Sequence, residues 1–275
     1  MKDFTDKWVL VTGAGSGIGR ETARAFAGKG GRLLLVDVND DGNEETRRLI
    51  AEAGGEARVF HTDVGDPTAM KTLAEQVHTE IPAVDVLVNN AGIGAAGDFV
   101  DTTLETWRRV IDINLMGVVH GCHYFLPAMK ERGQGGHVVN IASAAAFLAM
   151  PQMSAYATSK FAVLGLTESL RAELAEHGIG VSAICPGIIN TPIVVNAVYE
   201  GSIGADAGVR DRIVEFYHKR NYTPEQVAKG ILAAVRHNTG VKPVSPESWA
   251  MYYLRRLAPG LMSWLSSRGS PFSGG

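Results

Sequence analysis

The sequence predicts an α/β domain built on a mostly parallel sheet with helices on both faces. Three observations carry this expectation. Short apolar runs alternate with helical stretches along the chain, the pattern that βαβ units produce. The first apolar run leads into a glycine-rich turn, Gly13-Ala-Gly-Ser-Gly17-Ile-Gly19, and then a helix. Side chains with chemical potential follow the strands, and ligands of open parallel sheets bind beyond the strands' carboxyl ends.

The elements are justified in order. WVLVT at 8–12 is a buried-type strand, and 17–28 a helix after the glycine turn. RLLLVDV at 32–38 is the second strand, and a helix at 40–53 follows Asn39–Asp41, residues suited to capping it. A strand at 57–61 precedes Asp66-Pro67, an N-cap followed by proline in the first turn, which opens a helix at 67–80. A strand at 84–89 is followed by a long helix at 103–132, where Thr102 and Glu105 have capping-box spacing. Strands at 137–142 and 181–185 flank a helix at 154–177. Thr223 and Gln226 have capping-box spacing before a helix at 224–237, and 242–244 is the last strand.

Two segments break the rhythm. Residues 188–221 mix helical and glycine signals, read as a substrate lid beside the expected site or as an unstructured insertion. Residues 246–275 form an aromatic-rich helical tail after a single domain spanning 1–245. Trp249, Tyr252, Tyr253 and Leu257 have helical spacing, and the apolar pattern resumes after Pro259 at Leu261, Met262 and Trp264. A terminal helix packed on this domain or on a neighbouring subunit fits that pattern. So does a peripheral membrane contact or the rim of a lipid-substrate channel, given Arg255, Arg256 and Arg268 nearby.

Composition narrows the function classes. The 275 residues are 45% apolar and 20% charged, and a net charge of −3 gives no electrostatic reason to expect nucleic acid binding. Two cysteines, Cys122 and Cys185, make a disulfide framework unexpected and a reducing, cytoplasmic setting the default. MKDFTDKWVLV lacks the basic region and long apolar core of a signal peptide. His120 and His123 have chelating spacing on a helix but no third ligand is placed, so no metal is expected. Cys185 reads as a core thiol, because no basic partner is evident.

Tyr156 and Lys160 are four residues apart, so a phenol and an ammonium share one helix face. A positive charge about 4 Å away, at an effective dielectric of about 20, favours the phenolate by roughly 4 kcal/mol, or about three pK units. This would bring Tyr156 towards the working range of a general acid/base. The glycine turn supplies a tight bend and a backbone close to a pyrophosphate. Asp37, about 20 residues beyond the glycines, is placed to bond adenosine ribose hydroxyls and to repel a 2′-phosphate, favouring NAD over NADP. Its alternative role is a helix cap. Asp63 ends the third strand, where it is placed to accept from the adenine amino group.

With these motifs in order, the chain resembles the short-chain dehydrogenase/reductases over residues 7–240. The matching segments are TGAGSGIG (12–19), Asp63-Val64, NNAG (89–92), Asn114 within DINLMG, Ser143 within NIASAAA, Tyr156-x-x-x-Lys160 and PGIINT (186–191). The resemblance implies a doubly wound Rossmann fold with a seven-stranded sheet, NAD(P) binding and an Asn114–Ser143–Tyr156–Lys160 tetrad. It implies proton exchange at Tyr156, a ribose contact and tyrosine tuning at Lys160, an oriented substrate oxygen at Ser143 and a held water at Asn114. The implied cofactor contacts are Gly13, Ser16, Gly17, Ile18, Gly19, Asp37, Asp63, Val64, Asn90, Ala91, Gly92, Pro186, Gly187, Ile189 and Thr191, with Tyr156 and Lys160. Two departures stand out: Ala146 replaces a usual glycine after the serine, and the glycine loop carries Ser16 rather than a basic residue.

The reading is an NAD(H)-dependent oxidoreductase acting on an apolar secondary alcohol or ketone, of steroid, terpenoid or lipid type. Expected walls at 94–96, 144–147, 150, 188–189 and 194–199 carry few charges. A 3-oxoacyl-thioester reductase shares the motifs, but NADP usually serves it and Asp37 opposes that. A cofactor-sensing binding protein on the same fold would have no use for the tetrad. Val110, Leu115, Val118, Phe161, Leu164 and Leu170 make two helices apolar on more than one side, so a homodimer or homotetramer is expected.

Overall fold

The computed structural model describes residues 1–266. Among them the strands are β1 (Trp8–Thr12), β2 (Arg32–Asp37), β3 (Glu56–His61), β4 (Val86–Asn89), β5 (Ala95–Ala96), β6 (Gly136–Ile141), β7 (Ile179–Cys185), β8 (Val198–Tyr199) and β9 (Val241–Pro243). The helices are α1 (Gly17–Ala27), α2 (Asp40–Glu52), α3 (Pro67–Glu80), α4 (Leu104–Ile111), α5 (Gly117–Arg132), α6 (Ser154–Glu173), α7 (Gly201–Ala205), α8 (Ala207–Arg220), α9 (Pro224–His237), α10 (Pro246–Leu257) and α11 (Pro259–Ser266). Seven strands form one sheet in the order β3-β2-β1-β4-β6-β7-β9, and every pairing in it is parallel. The doubly wound α/β expectation holds.

Strand alternation sorts the core onto two faces. Leu10, Leu34, Leu87, Val138 and Val181 point to one face, where they meet Met70, Val77, Val118 and Phe125 of α3 and α5. Val9, Val11, Leu33, Leu35, Val86 and Val139 point to the other, under Phe26 of α1, Ile50 of α2 and Val227, Ile231 and Val235 of α9. The order reverses between β1 and β4, and their carboxyl ends carry the glycine turn and the Asn89–Gly92 loop. This switch point fixes where a ligand can lie.

The helix expected at 103–132 is interrupted by a π-helical turn at Asp112–Met116. Asn114, inside that turn, has a fully committed side chain: Oδ1 accepts from Ile93 N at 2.8 Å, and Nδ2 donates to Ile93 O at 3.0 Å and to Ser159 Oγ at 3.2 Å. Such bulges cluster at functional sites. The N-cap of α4 is Thr103, which accepts from Thr106 N, and not Thr102, whose hydroxyl donates to Asp98 O. The Thr223–Gln226 capping box forms as expected.

Residues 188–221 are folded, as β8, α7 and α8. β8 pairs in parallel with β5. Asp98 accepts from Ser202 Oγ at 2.6 Å and Gln152 Nε2 at 3.1 Å, while Glu200 accepts from Thr103 and Thr106. At the other end Glu247 accepts from Ile188 N and pairs with Arg220, both at 2.9 Å. The tail helix α10 lies on the same domain: Tyr252 meets Phe147 edge-on at 5.3 Å, and Arg255 donates to Phe147 O at 3.1 Å. Arg268 lies outside the described residues. No helix among the described residues is long and apolar enough to cross a membrane.

Candidate active site

The glycine turn is held from beneath by a hydrogen-bonded brace. Thr12 Oγ1 accepts from Asn90 N at 3.0 Å and Ala91 N at 3.1 Å, and Asn90 Nδ2 donates to Thr12 O at 2.9 Å and Gly13 O at 3.1 Å. Gly13 has φ +66°, and a Cβ there would lie 2.8 Å from Ala91 Cα. A Cβ at Gly19 would lie 2.0 Å from Gly13 O, so Gly19 lets α1 close onto the turn from behind. It is not among the residues that line the cavity. Ser16 is the N-cap of α1 and makes no side-chain cap hydrogen bond, and the first turn holds no acid. The opening N–H groups are thus available to an anion, and the residues present fit a pyrophosphate.

Asp37 faces this turn. Its Oδ2 accepts from Gly15 N at 2.7 Å and its Oδ1 from Asn39 N at 2.9 Å. The capping of α2 falls to Asn39, which accepts from Gly42 N at 3.0 Å, so the cap alternative for Asp37 is not needed. Arg20 is committed below the turn, to Thr46 Oγ1 and the Gly15 and Gly42 carbonyls. Asp63 Oδ1 accepts from Gly65 N at 2.8 Å, and Val64 O receives His120 Nδ1 at 2.8 Å. His120 therefore braces a backbone carbonyl.

Tyr156 and Lys160 both face the cavity from α6, and Ser143 faces it from the end of β6. Lys160 Nζ donates to Ile141 O at 3.0 Å and lies 5.7 Å from the Tyr156 ring centroid. Burial lowers the Lys160 pKa to about 8. The expectation that this ammonium pulls the Tyr156 phenol towards neutrality is corrected here. Burial pushes Tyr156 above the usual tyrosine value, and a hydrogen bond from Ser143 offsets only part of the rise. The physical reason is that the sequence estimate counted the attraction and not the desolvation of the phenolate. The site holds a protonated phenol beside a partly desolvated amine, which suits proton donation to an oxygen. Asn114 stands behind the wall, joined to it through Ile93, and does not line the cavity.

One cavity of about 960 Å³ brings together Gly13, Ser16, Gly17, Ile18, Asp37, Asp63, Val64, Asn90, Ala91, Gly92, Ser143, Tyr156, Lys160, Pro186, Gly187, Ile189 and Thr191. Thr191 closes over the turn, its Cγ2 3.3 Å from where a Gly17 Cβ would sit. Sequence reasoning missed several wall residues: Leu148, Met153, Ile203, Ile213, Tyr217 and Met251. It also missed Glu105, Arg108, Arg109 and Asp112. The backbone of Asp112 flanks Gly65. Gln152, another lining residue, has a left-handed backbone (φ +65°), and its Oε1 is buried without a hydrogen bond. A non-glycine residue in this region is a signal of a functional constraint. For Ile213 and Tyr217 the available signal was their four-residue spacing on α8.

Comparisons agree with this geometry. Residues 7–200 match the short chain dehydrogenase family. The "Probable oxidoreductase EphD" of Mycobacterium tuberculosis is 44% identical over 260 residues, which is 93% of this chain and 44% of that protein. The chain thus spans less than half the length of those mycobacterial relatives. "Dehydrogenase/reductase SDR family member 7B" of Bos taurus is 39% identical over 92% of this chain and 78% of its own length. A short chain dehydrogenase/reductase from Burkholderia phymatum, solved in complex with NAD, superposes with a TM-score of 0.85 at 31% identity, covering 95% of this chain and 96% of that one. With the parallel sheet, the glycine turn and the Ser143–Tyr156–Lys160 cluster at one cavity, the chain belongs to the short-chain dehydrogenase family.

Proposed function

We propose that this chain is an NAD(H)-dependent oxidoreductase interconverting a secondary alcohol and a ketone with an apolar body. One observation carries the reading: a single cavity joins the Gly13–Gly17 turn and Asp37 at one end to Ser143, Tyr156 and Lys160 at the other. When bound, the nicotinamide supplies or accepts the hydride. Tyr156 moves the proton at the substrate oxygen, Ser143 orients that oxygen, and Lys160 bonds the nicotinamide ribose. Asn114 acts from behind, by fixing Ile93 and the π turn. Residues 188–221 act as a lid over a domain spanning 1–245, closed by the Asp98, Glu200 and Glu247 contacts. A panel of secondary alcohols and ketones, followed by NADH absorbance, tests the reading. No turnover across the panel would count against it.

The cofactor choice rests on Asp37. Bringing a 2′-phosphate against this carboxylate sets like charges together, a cost of several kcal/mol, or on the order of 100-fold or more in affinity. NAD is expected to bind that much more tightly than NADP, and Asp37→Arg to narrow or reverse the preference. Direct titration with both cofactors checks this, and a preference of the unmodified protein for NADP would overturn it.

The same chain is expected to pair with itself. Leu115 in the π turn and Leu164, Leu166 and Leu170 of α6 stay only partly buried. A second copy would cover them. Sedimentation at micromolar concentration is expected to show a dimer or tetramer; a monomer would contradict the assignment.

A further inference from the structure

We propose that Tyr217 is a substrate-positioning residue that hydrogen-bonds a second oxygen of the substrate, narrowing the substrate class to apolar compounds with two oxygen functions: diols, hydroxyketones or diketones. The proposal rests on the oxidoreductase reading above and adds the identity of the substrate to it.

Val209, Ile213 and Tyr217 are spaced four residues apart on α8 and share one face. That face packs with Val194, Ile203 and Ile193 in an apolar cluster. Ile213 and Tyr217 also line the cavity that holds Tyr156. A phenylalanine would pack equally well at 217, so the hydroxyl needs its own explanation. Its neighbour in the cluster, Tyr199, places its hydroxyl on Val194 O at 2.7 Å. The Tyr217 hydroxyl makes no hydrogen bond among the described residues. Tyr156 and Tyr217 line the same cavity, and burial raises the Tyr217 pKa, so its hydroxyl stays protonated at neutral pH.

Solvent can satisfy that hydroxyl until an apolar substrate displaces it. A substrate without a matching group would then strand a polar atom in an apolar wall. The reacting oxygen is already claimed by Tyr156 and Ser143, so the partner of Tyr217 is a different oxygen. Discrimination of this kind, by a site built to bond a hydroxyl, is stronger than discrimination by fit alone.

The test compares cyclohexanol with cyclohexane-1,2-, 1,3- and 1,4-diol as NAD-linked substrates, in the unmodified protein and in Tyr217→Phe. At least one diol is expected to exceed cyclohexanol in kcat/KM. Tyr217→Phe should lower the diol-to-cyclohexanol ratio by roughly 10–100-fold, mainly through KM, while cyclohexanol is unchanged or improved. Loss of both substrates in parallel would mark a structural role, and an unmoved ratio would also overturn the proposal. If none of the four is turned over, each is added to NADH-loaded protein and the melting temperature read. A diol preference lost in Tyr217→Phe then supports the proposal, and equal shifts overturn it. Failure of the underlying reading looks different: no alcohol of the wider panel forms NADH, whatever stands at 217.

Discussion

Tyr156→Phe is expected to lower turnover by roughly 10²–10⁴-fold, the range that a positioned acid/base contributes, while leaving NADH affinity and melting temperature close to those of the unmodified protein. The substitution removes one hydroxyl. The ring keeps its place on α6, and the apolar contacts of that helix with β7 and the sheet do not depend on the oxygen. What the variant gives up is the hydrogen bond with Ser143 and, on the proposed function, the proton at the substrate oxygen. Because burial holds the Tyr156 pKa above its ordinary value of 10, the phenol is protonated throughout the neutral range. Ketone reduction should therefore show no fall between pH 6 and 8 from deprotonation of this group. Steady-state rates with a panel ketone, beside an NADH titration of the variant, check both parts. Turnover like that of the unmodified protein would remove Tyr156 from the chemistry.

Much of this architecture was legible because local chemistry dictates it. β1, α3 and α9 begin and end where apolar runs, Asp66-Pro67 and Thr223-Pro224 place them, since each boundary has a cap or a turn written into neighbouring residues. Other strands moved by a residue or two, as pairing with a neighbour, and not propensity, decides where a ladder stops. The positions of Asp37, Ser143, Tyr156 and Lys160 were readable for the same reason: they follow elements that the pattern defines. Their energetics were not. The Tyr156–Lys160 estimate used spacing along a helix, but depth of burial is set by tertiary packing against residues remote in sequence, such as Ile141, whose carbonyl accepts from Lys160. Asn114 shows the same limit: its side chain, inside the π turn, clasps Ile93, 21 residues away. Tyr217 sits on α8, where the four-residue spacing of Val209, Ile213 and Tyr217 marks a face but the sequence does not say what that face covers. Asn90 matched a cofactor-contact position, and its amide nitrogen also holds Thr12 and Gly13 in the turn.

Lys160→Met is expected to raise the stability of the protein without added cofactor at pH 7 and to abolish most of its activity. Burial depresses the folded-state pKa of Lys160 to about 8 from its ordinary 10.5. The unfolded chain therefore binds this proton more tightly, and the sign follows directly: below pH 8 the folded state bears the full cost of a buried ammonium. That cost fades as pH rises from about 8 to about 10.5, and by linkage it amounts to about 3 kcal/mol at neutral pH. Methionine fills similar space with no charge, and gives up the bond to Ile141 O, worth about 1 kcal/mol. A net gain of about 1–2 kcal/mol corresponds to several degrees in melting temperature for a domain of this size, at about 2–4 °C per kcal/mol. The gain should shrink between pH 8 and 10.5, as the native lysine loses its charge. NADH affinity and turnover should both fall, since the same amine is proposed to bond the nicotinamide ribose. Paired melts at pH 7 and pH 10 check the stability; a variant that melts lower at pH 7 would show that Lys160 holds the fold together. A buried ammonium that costs the fold stability, at the cavity that also holds Tyr156, is what the proposed contact with a ligand would explain.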